Sequence, residues 1–198
     1  MANQIIVASN NGGKIFELQQ ILGEALDANI VSAASVDAEY EAAEETETTF
    51  LDNALLKARH AYEHFKAPVI ADDSGLEVIA LGGEPGVLSA RYSGDHDDEA
   101  NNEKLLKNLS EYHGKEERKA RFVSVVVYID ADGNEFVGEG DCEGYIADEA
   151  RGQNGFGYDP LFVANAYDPK TFAEVSDEEK NSVSHRSEAI QKLKETIK

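Results

Sequence analysis

The stretch Phe122–Asn134, FVSVVVYIDADGN, combines the most β-prone run of the chain with a turn. Phe122–Ile129 concentrates β-branched and aromatic side chains, which suit a pleated, half-buried surface. Asp130-Ala131-Asp132-Gly133-Asn134 is turn chemistry, so the segment reads as a hairpin that runs on into residues 135–141. On its N-terminal side, Gln4–Ser9 (QIIVAS) reads as a buried strand, Asn10–Gly13 as a turn, and Lys14–Leu22 as a helix with Ile15, Leu18, Ile21 and Leu22 on one face. Asn29–Ser32 is a short strand. Thr49–Phe65 reads as a helix opened by Thr49 and Asp52 in a capping-box arrangement. Pro68–Ala71 and Leu76–Leu81 read as strands separated by Asp72-Asp73-Ser74-Gly75, and Asp97–Leu109 as a helix. On the C-terminal side come a glycine-rich loop over 151–159, a capping box of Ser176 with Glu179, and a last helix with Ala189, Ile190, Leu193 and Ile197 on one face. Strands mixed with helices, with one antiparallel hairpin, predict an α/β fold with a mixed sheet. A chain of 198 residues fits one domain spanning 1–198.

Composition narrows the function. Hydrophobic residues make up 41% of the chain, enough for a core. Eighteen basic against thirty-nine acidic residues leave a formal charge of −21, a field that repels nucleic acid and anionic lipid. A small anionic ligand remains compatible with that field if a metal ion and a few local cations neutralise it. The single cysteine, Cys142, makes no internal disulfide and no metal cluster, and reads as a half-buried strand residue. The opening MANQIIVASN lacks a signal peptide's basic and apolar regions, and no apolar run nears the ~20 residues that span a bilayer. A cytoplasmic protein without a membrane or nucleic-acid partner is therefore expected.

Five constellations carry chemistry. Ser9-Asn10-Asn11-Gly12-Gly13-Lys14 sets a strand, a turn and a helix start in succession, and unpaired amides with the helix dipole favour an anion there. The spacing of a Walker A loop is missing. Asp72-Asp73 places two carboxylates side by side, where Mg²⁺ would relieve their repulsion, and one could act as a general base; the plainer alternative is a solvated turn. Glu44, Glu45 and Glu47 form an acidic run, ordinarily a solvated face, from which one residue could complete the metal site. Asp52 suits the first turn of a helix on dipole grounds alone. In Asn154–Pro160 (NGFGYDP), glycines flank Phe156 and leave a face for a planar ring, while Asp159 precedes proline and is extended. Lys180–Arg186 (KNSVSHR) gathers donors in Lys180, His185 and Arg186 that suit phosphate or a carbonyl oxygen.

Taken in order, SNNGGK (9–14), EET (44–46), TFLDNALLKA (49–58), ADDSGLEV (71–78), GGEPGVLSARYSG (82–94), NGFGYDPLF (154–162) and EKNSVSHR (179–186) resemble the inosine triphosphate pyrophosphatase family, the XTP/dITP diphosphatases. The resemblance spans nearly the whole chain. It implies an elongated α/β fold with a long curved mixed sheet flanked by helices, a nucleotide cleft between two lobes, and a homodimer. It also implies Mg²⁺-dependent hydrolysis of ITP, dITP and XTP to the monophosphate and pyrophosphate, which cleanses the nucleotide pool. Carried onto this chain, Ser9, Asn10, Asn11, Gly12, Gly13 and Lys14 would cradle phosphates, and Asp73 would be the base and a metal ligand. Asp72 and Glu44 would share the metal shell, and Ser74 would touch substrate. Phe156, Gly157, Tyr158, Asp159, Lys180, His185 and Arg186 would hold base and phosphates. Three positions depart from the family pattern: Asp52 stands where Glu is usual, Asn10 where many members have Gly, and Ser187 where Gly commonly follows His-Arg. A Maf-type pyrophosphatase acting on modified pyrimidines or dTTP is the nearer alternative, and a non-enzymatic acidic interaction protein the farther one.

Overall fold

A computed structural model describes residues 3–9, 11–26, 28–94 and 96–197. In chain order the elements are β1 (Asn3–Val7), α1 (Gly12–Leu26), β2 (Ala28–Ser32), α2 (Ala33–Val36), α3 (Phe50–Phe65), β3 (Val69–Val78), α4 (Asp98–Asn108), α5 (Gly114–Glu117), β4 (Lys119–Ile129), β5 (Glu135–Ile146), β6 (Phe162–Ala164), α6 (Asp177–Val183) and α7 (His185–Thr196), with short 3-10 turns between them. The six strands form one sheet in the order β2-β1-β3-β4-β5-β6. β1 lies parallel to both β2 and β3, with Ile5 opposite Ile30 and Ile6 opposite Val69, whereas β5 and β6 are antiparallel. The sheet is mixed and flanked by helices, as expected.

The aspartate pair differs from its sequence reading. Val69–Val78 is one continuous strand, so the two strands expected on either side of an Asp-Asp-Ser-Gly turn are corrected to one. That tetrapeptide favours a turn where its side chains meet water. Here Val69–Ala71 and Leu76 are buried, both carboxylates find charged partners, and the ladder continues through them. Residues 79–81 turn off as a 3-10 segment instead of extending the strand. Gly12 and Gly13, expected in a turn, belong to the first turn of α1. Asn11 accounts for the shift, because its Oδ1 accepts from the Lys14 amide at 3.1 Å and caps the helix.

The chain groups into two compact units. The first comprises Met1–Asp73, Ser124–Gly140 and Arg186–Lys198, and the second Ser74–Val123 and Asp141–His185. In the first, α1 and α7 bury Leu18, Leu22, Ala189, Ile190 and Leu193 against Ile5, Ile70 and Val126 of the sheet. The contact is close: a Cβ on Gly138 would lie 2.1 Å from the Ala189 carbonyl oxygen, so only glycine admits α7 there. In the second unit Leu76, Leu105, Leu109, Phe122, Ile146, Phe162 and Phe172 form the core. No helix among the described residues is long and apolar enough to cross a membrane.

Candidate active site

Side chains alternate across a strand, so adjacent residues face opposite sides of the sheet. Ile70 packs in the core built by α1 and α7, and Asp72, two residues on, meets the same elements. Its Oδ1 lies 2.9 Å from Lys14 Nζ of α1. Its Oδ2 accepts from Ser124 Oγ of β4 at 2.8 Å and from Arg186 Nε of α7 at 3.2 Å. Arg186 also pairs with Glu17 of α1. Asp73 is directed the other way, to α3: its Oδ1 accepts from Lys57 Nζ at 2.8 Å, and the same ammonium lies 2.8 Å from Glu45 Oε1. The repulsion expected between neighbouring carboxylates is thus relieved by placing them on opposite faces, each with its own cations.

Burial then separates the pair chemically. Burial alone would raise the Asp72 carboxyl, but Arg186, Lys14 and Lys57 outweigh it and hold Asp72 well below the usual carboxylate range. For Asp73 burial wins: it pushes the carboxyl up to about 6 against the pull of Lys57 and Lys14, with Glu45 adding to the rise. Burial opposes the charge on Lys57, yet Asp73, Glu45 and Asp72 keep it firmly protonated. Glu17, Glu45, Asp72 and Asp73 face Lys14, Lys57 and Arg186, leaving a near-neutral patch in a chain of charge −21.

Among the described residues, no three His, Cys, Asp or Glu side chains are grouped to hold a metal ion. Two carboxylates still offer a partial site. Asp73 Oδ2 is buried without a hydrogen-bond partner, and the Glu45 carboxylate shares its lysine. Mg²⁺ takes one or two protein carboxylates and fills its shell with phosphate and water, so this donor set fits it.

The second unit holds the aromatic loop. Asp159 Oδ2 accepts from the Phe156 amide at 2.9 Å and from Lys180 Nζ at 2.6 Å. Lys180, on α6 behind the Ser176–Glu179 capping box, sits 4.8 Å from the Phe156 ring centroid. Gly155 has φ +73°, and a Cβ there would meet Asp159 Oδ2 at 2.1 Å, so the clamp requires glycine. Gly157 is held on both sides of its peptide unit: its amide donates to Asp98 Oδ2 at 2.8 Å, and its carbonyl accepts from Asn102 Nδ2 at 2.9 Å. Tyr158 donates to the Ser89 carbonyl at 2.8 Å. His185 is buried, its ring stacked on Phe122 at 4.8 Å and 13°.

A family model described as Ham1 family matches residues 5–196. The chain belongs to the Ham1 family. A Haemophilus influenzae protein named dITP/XTP pyrophosphatase is 43% identical over 203 aligned residues, covering 100% of both chains. One of the same name from Corynebacterium diphtheriae is 45% identical, covering 96% of this chain and 94% of its own. The structure of the Staphylococcus aureus Ham1 protein matches with a TM-score of 0.84 at 43% identity, covering 98% of each chain. That of a nucleoside-triphosphatase / dITP/XTP pyrophosphatase from Mycobacterium abscessus matches at 0.74 and 46% identity, covering 95% of this chain and 97% of its own.

Within this Ham1 chain, Ser9, Asn11, Gly12, Gly13 and Lys14 lie at the start of α1, where Ser9 Oγ accepts from the Asn11 amide at 3.1 Å. Asn10 lies outside the described residues. Ser74 follows Asp73 on β3 and is half-buried. Three residues with expected ligand roles have other surroundings here. Glu44 is exposed, and the acidic run reaches Lys57 through Glu45. Both Asp72 oxygens are engaged by protein donors within hydrogen-bonding distance, which leaves it a poor metal ligand. Arg186 is 1% exposed and pairs with Asp72 and Glu17, a counter-ion to both carboxylates. Asp52 serves the helix end: its amide donates to the Thr49 hydroxyl at 3.1 Å, and its carboxylate accepts from that hydroxyl at 2.6 Å. Sequence reasoning passed over Lys57, Glu17 and Ser124. Lys57 alone had a signal, a lysine on the face of α3 marked by Ala54, Ala58 and Ala61.

Proposed function

We propose that this protein hydrolyses the α–β phosphoanhydride of non-canonical purine nucleoside triphosphates (ITP, dITP and XTP) to the monophosphate and pyrophosphate, cleansing the cytoplasmic nucleotide pool. The observation that carries the chemistry is Asp73, with one oxygen fixed by Lys57 and the other a buried acceptor without a partner. The names of the similar proteins, dITP/XTP pyrophosphatase, support the substrate class, and the Maf-type alternative draws no support from them.

Asp73 and Glu45 would hold Mg²⁺, which when bound neutralises charge on the phosphate oxygens. Asp73 orients the attacking water and accepts its proton at Oδ2. The water oxygen bonds to the α-phosphorus, the bond from phosphorus to the bridging oxygen breaks, and pyrophosphate leaves with the electron pair. Lys14 and the N-terminus of α1, formed by Ser9, Asn11, Gly12 and Gly13, carry the phosphate-binding role, with Ser74 touching substrate. Asp72 fixes Lys14 and Arg186. In the second unit, Phe156 and the Gly157–Asp159 backbone carry base recognition together with His185, while Lys180 shapes that loop. A homodimer is part of the proposal; Ile79 and Leu88, 70% and 48% exposed, are apolar side chains a second copy would cover, and sedimentation tests it.

Product analysis with dITP and XTP against ATP, GTP and dTTP, with Mg²⁺ and with chelator, tests the activity. Monophosphate and pyrophosphate from dITP and XTP, abolished by chelation, are expected. Equal turnover of ATP and GTP, or release of orthophosphate, would overturn the proposal. Preference for dTTP would restore the Maf-type alternative, and no turnover at all the interaction protein.

A further inference from the structure

Residues 37–49, between α2 and α3, form neither helix nor strand, yet they are laced to one stripe of α3. Asn53 meets Glu47, Lys57 meets Glu45, His60 Nε2 lies 2.9 Å from the Glu41 carbonyl, and His64 Nε2 lies 2.8 Å from Asp37 Oδ2. The helix residues ascend in steps of three and four while their partners descend, so this acidic strap runs antiparallel to α3, gripped about once per turn. Tyr40 anchors its far end, its ring packed against His60, His64 and Phe65 with centroids 5.7, 5.2 and 4.9 Å away.

The grip at Asn53 differs in kind from the others. Asn53 is fully buried in the first turn of α3, where an asparagine side chain without partners costs stability. Both ends of its amide are spent on a single residue's backbone: Oδ1 accepts from the Glu47 amide at 3.0 Å and Nδ2 donates to the Glu47 carbonyl at 3.3 Å. The two contacts together fix where Glu47 lies along the helix, as a neighbouring strand would. Glu45 is only two residues away, and Lys57, its partner, is one turn beyond Asn53. Glu47 itself is exposed, so the clamp is directed at the strap's position and not at burying its side chain.

We infer that Asn53 is a positioning residue for the proposed metal site: by clamping the Glu47 peptide it sets the register of the acidic strap, so that Glu45 rather than Glu44 or Glu47 reaches Lys57 beside Asp73. The inference rests on the metal-binding role proposed above for Glu45 and Asp73. It assigns the selection of one carboxylate from an acidic run to a neutral side chain that touches neither metal nor substrate.

The test is Mn²⁺ affinity of the nucleotide-free protein, read by electron paramagnetic resonance, together with steady-state kinetics on dITP. Asn53→Ala should raise the Mn²⁺ dissociation constant and lower kcat at least tenfold, within the roughly 10–100-fold range for residues that orient metal-binding side chains, while KM for dITP stays near its original value. Hydrogen exchange at the Glu47 amide should accelerate in the same variant. Should Asn53→Ala fail to fold, Glu47→Pro removes the amide from the other side of the clamp, at an exposed position, and should give the same losses. His64→Ala, which loosens the strap at its far end, should leave Mn²⁺ affinity unchanged. A folded Asn53→Ala or Glu47→Pro protein with unaltered Mn²⁺ affinity would overturn the inference, as would equal losses in His64→Ala. Glu45→Gln separates the two levels of the argument: if it binds Mn²⁺ as tightly as the unsubstituted protein, the metal-site proposal itself fails and the inference fails with it.

Discussion

Asp72 is enclosed by Arg186, Lys14 and Ser124, while Asp73 touches Lys57 and leaves one oxygen without a partner. Removing the charge at each should therefore have opposite consequences. Asp72→Asn leaves Arg186 and Lys14 facing a neutral group, and breaking a buried pair from one side costs about 3–5 kcal/mol. Urea denaturation at pH 7 should show a loss of that order. The Asp73 carboxyl titrates at about 6 in the fold, above the unfolded value near 3.9. It therefore stabilises the fold below about pH 4, and that contribution is lost as pH rises through 6. At pH 7 the native carboxylate is disfavoured, so Asp73→Asn should keep or raise the melting temperature while abolishing most dITP turnover. Near-normal turnover would remove Asp73 from the role of base. As the proposed base, the same group should set the acid limb of the rate: at limiting Mg²⁺, kcat/KM should rise about tenfold per pH unit below pH 6 and level off above it. A profile flat between pH 5 and 7 would show that Asp73 is not the titrating group. Asp72, held low by its cations, acts in the other direction, its stabilisation present above about pH 4 and lost on further acidification.

At the scale of elements, α7 carries Arg186 at its start and reaches the sheet through the opening at Gly138. A methyl group there meets the backbone of Ala189 and Leu193, which cannot withdraw as a flexible side chain would. Gly138→Ala should destabilise the protein by about 1–3 kcal/mol in chemical denaturation, the usual cost of overpacking, with part of the dITP activity lost as Arg186 shifts against Asp72. Elements whose signals are local were legible in the sequence. Thr49 and Ser176 cap α3 and α6 through the amides of Asp52 and Glu179, as their spacing suggested. The hairpin turn at Asp130–Asn134 joins β4 to its neighbour β5. Where burial overrode local preference the sequence misled: Asp72-Asp73-Ser74-Gly75 has turn chemistry but lies within β3, because the ion pairs that keep it there come from residues as distant as Arg186. The acidic run was legible as a source of one carboxylate but not of which one, since Glu45 is selected by contacts from α3 that no local pattern encodes. Lys14 was legible beside the residues proposed to bind phosphate, whereas its pairing with Asp72 depends on the parallel alignment of β1 with β3.

For the whole molecule, net charge and local charge act against each other. The chain carries −21, while the carboxylates around Asp72 and Asp73 are nearly balanced by Lys14, Lys57 and Arg186. An anionic nucleotide therefore approaches through a repulsive field before it reaches a neutral patch. Added salt shortens the screening length from about 30 Å at 0.01 M to about 10 Å at 0.1 M, which weakens the distant repulsion more than contacts at the site. The encounter should consequently accelerate with salt, the reverse of the usual steering of a charged substrate by an oppositely charged enzyme. At fixed free Mg²⁺, kcat/KM for dITP should increase several-fold as KCl is raised from about 10 to 100 mM, with kcat nearly constant. A decrease over the same range would mean that the field of Lys14, Lys57 and the α1 terminus dominates the approach. Substituting Lys14 by Gln would then flatten the salt dependence, whereas under the repulsion described here it would steepen it, because the local cation that offsets the global charge is gone.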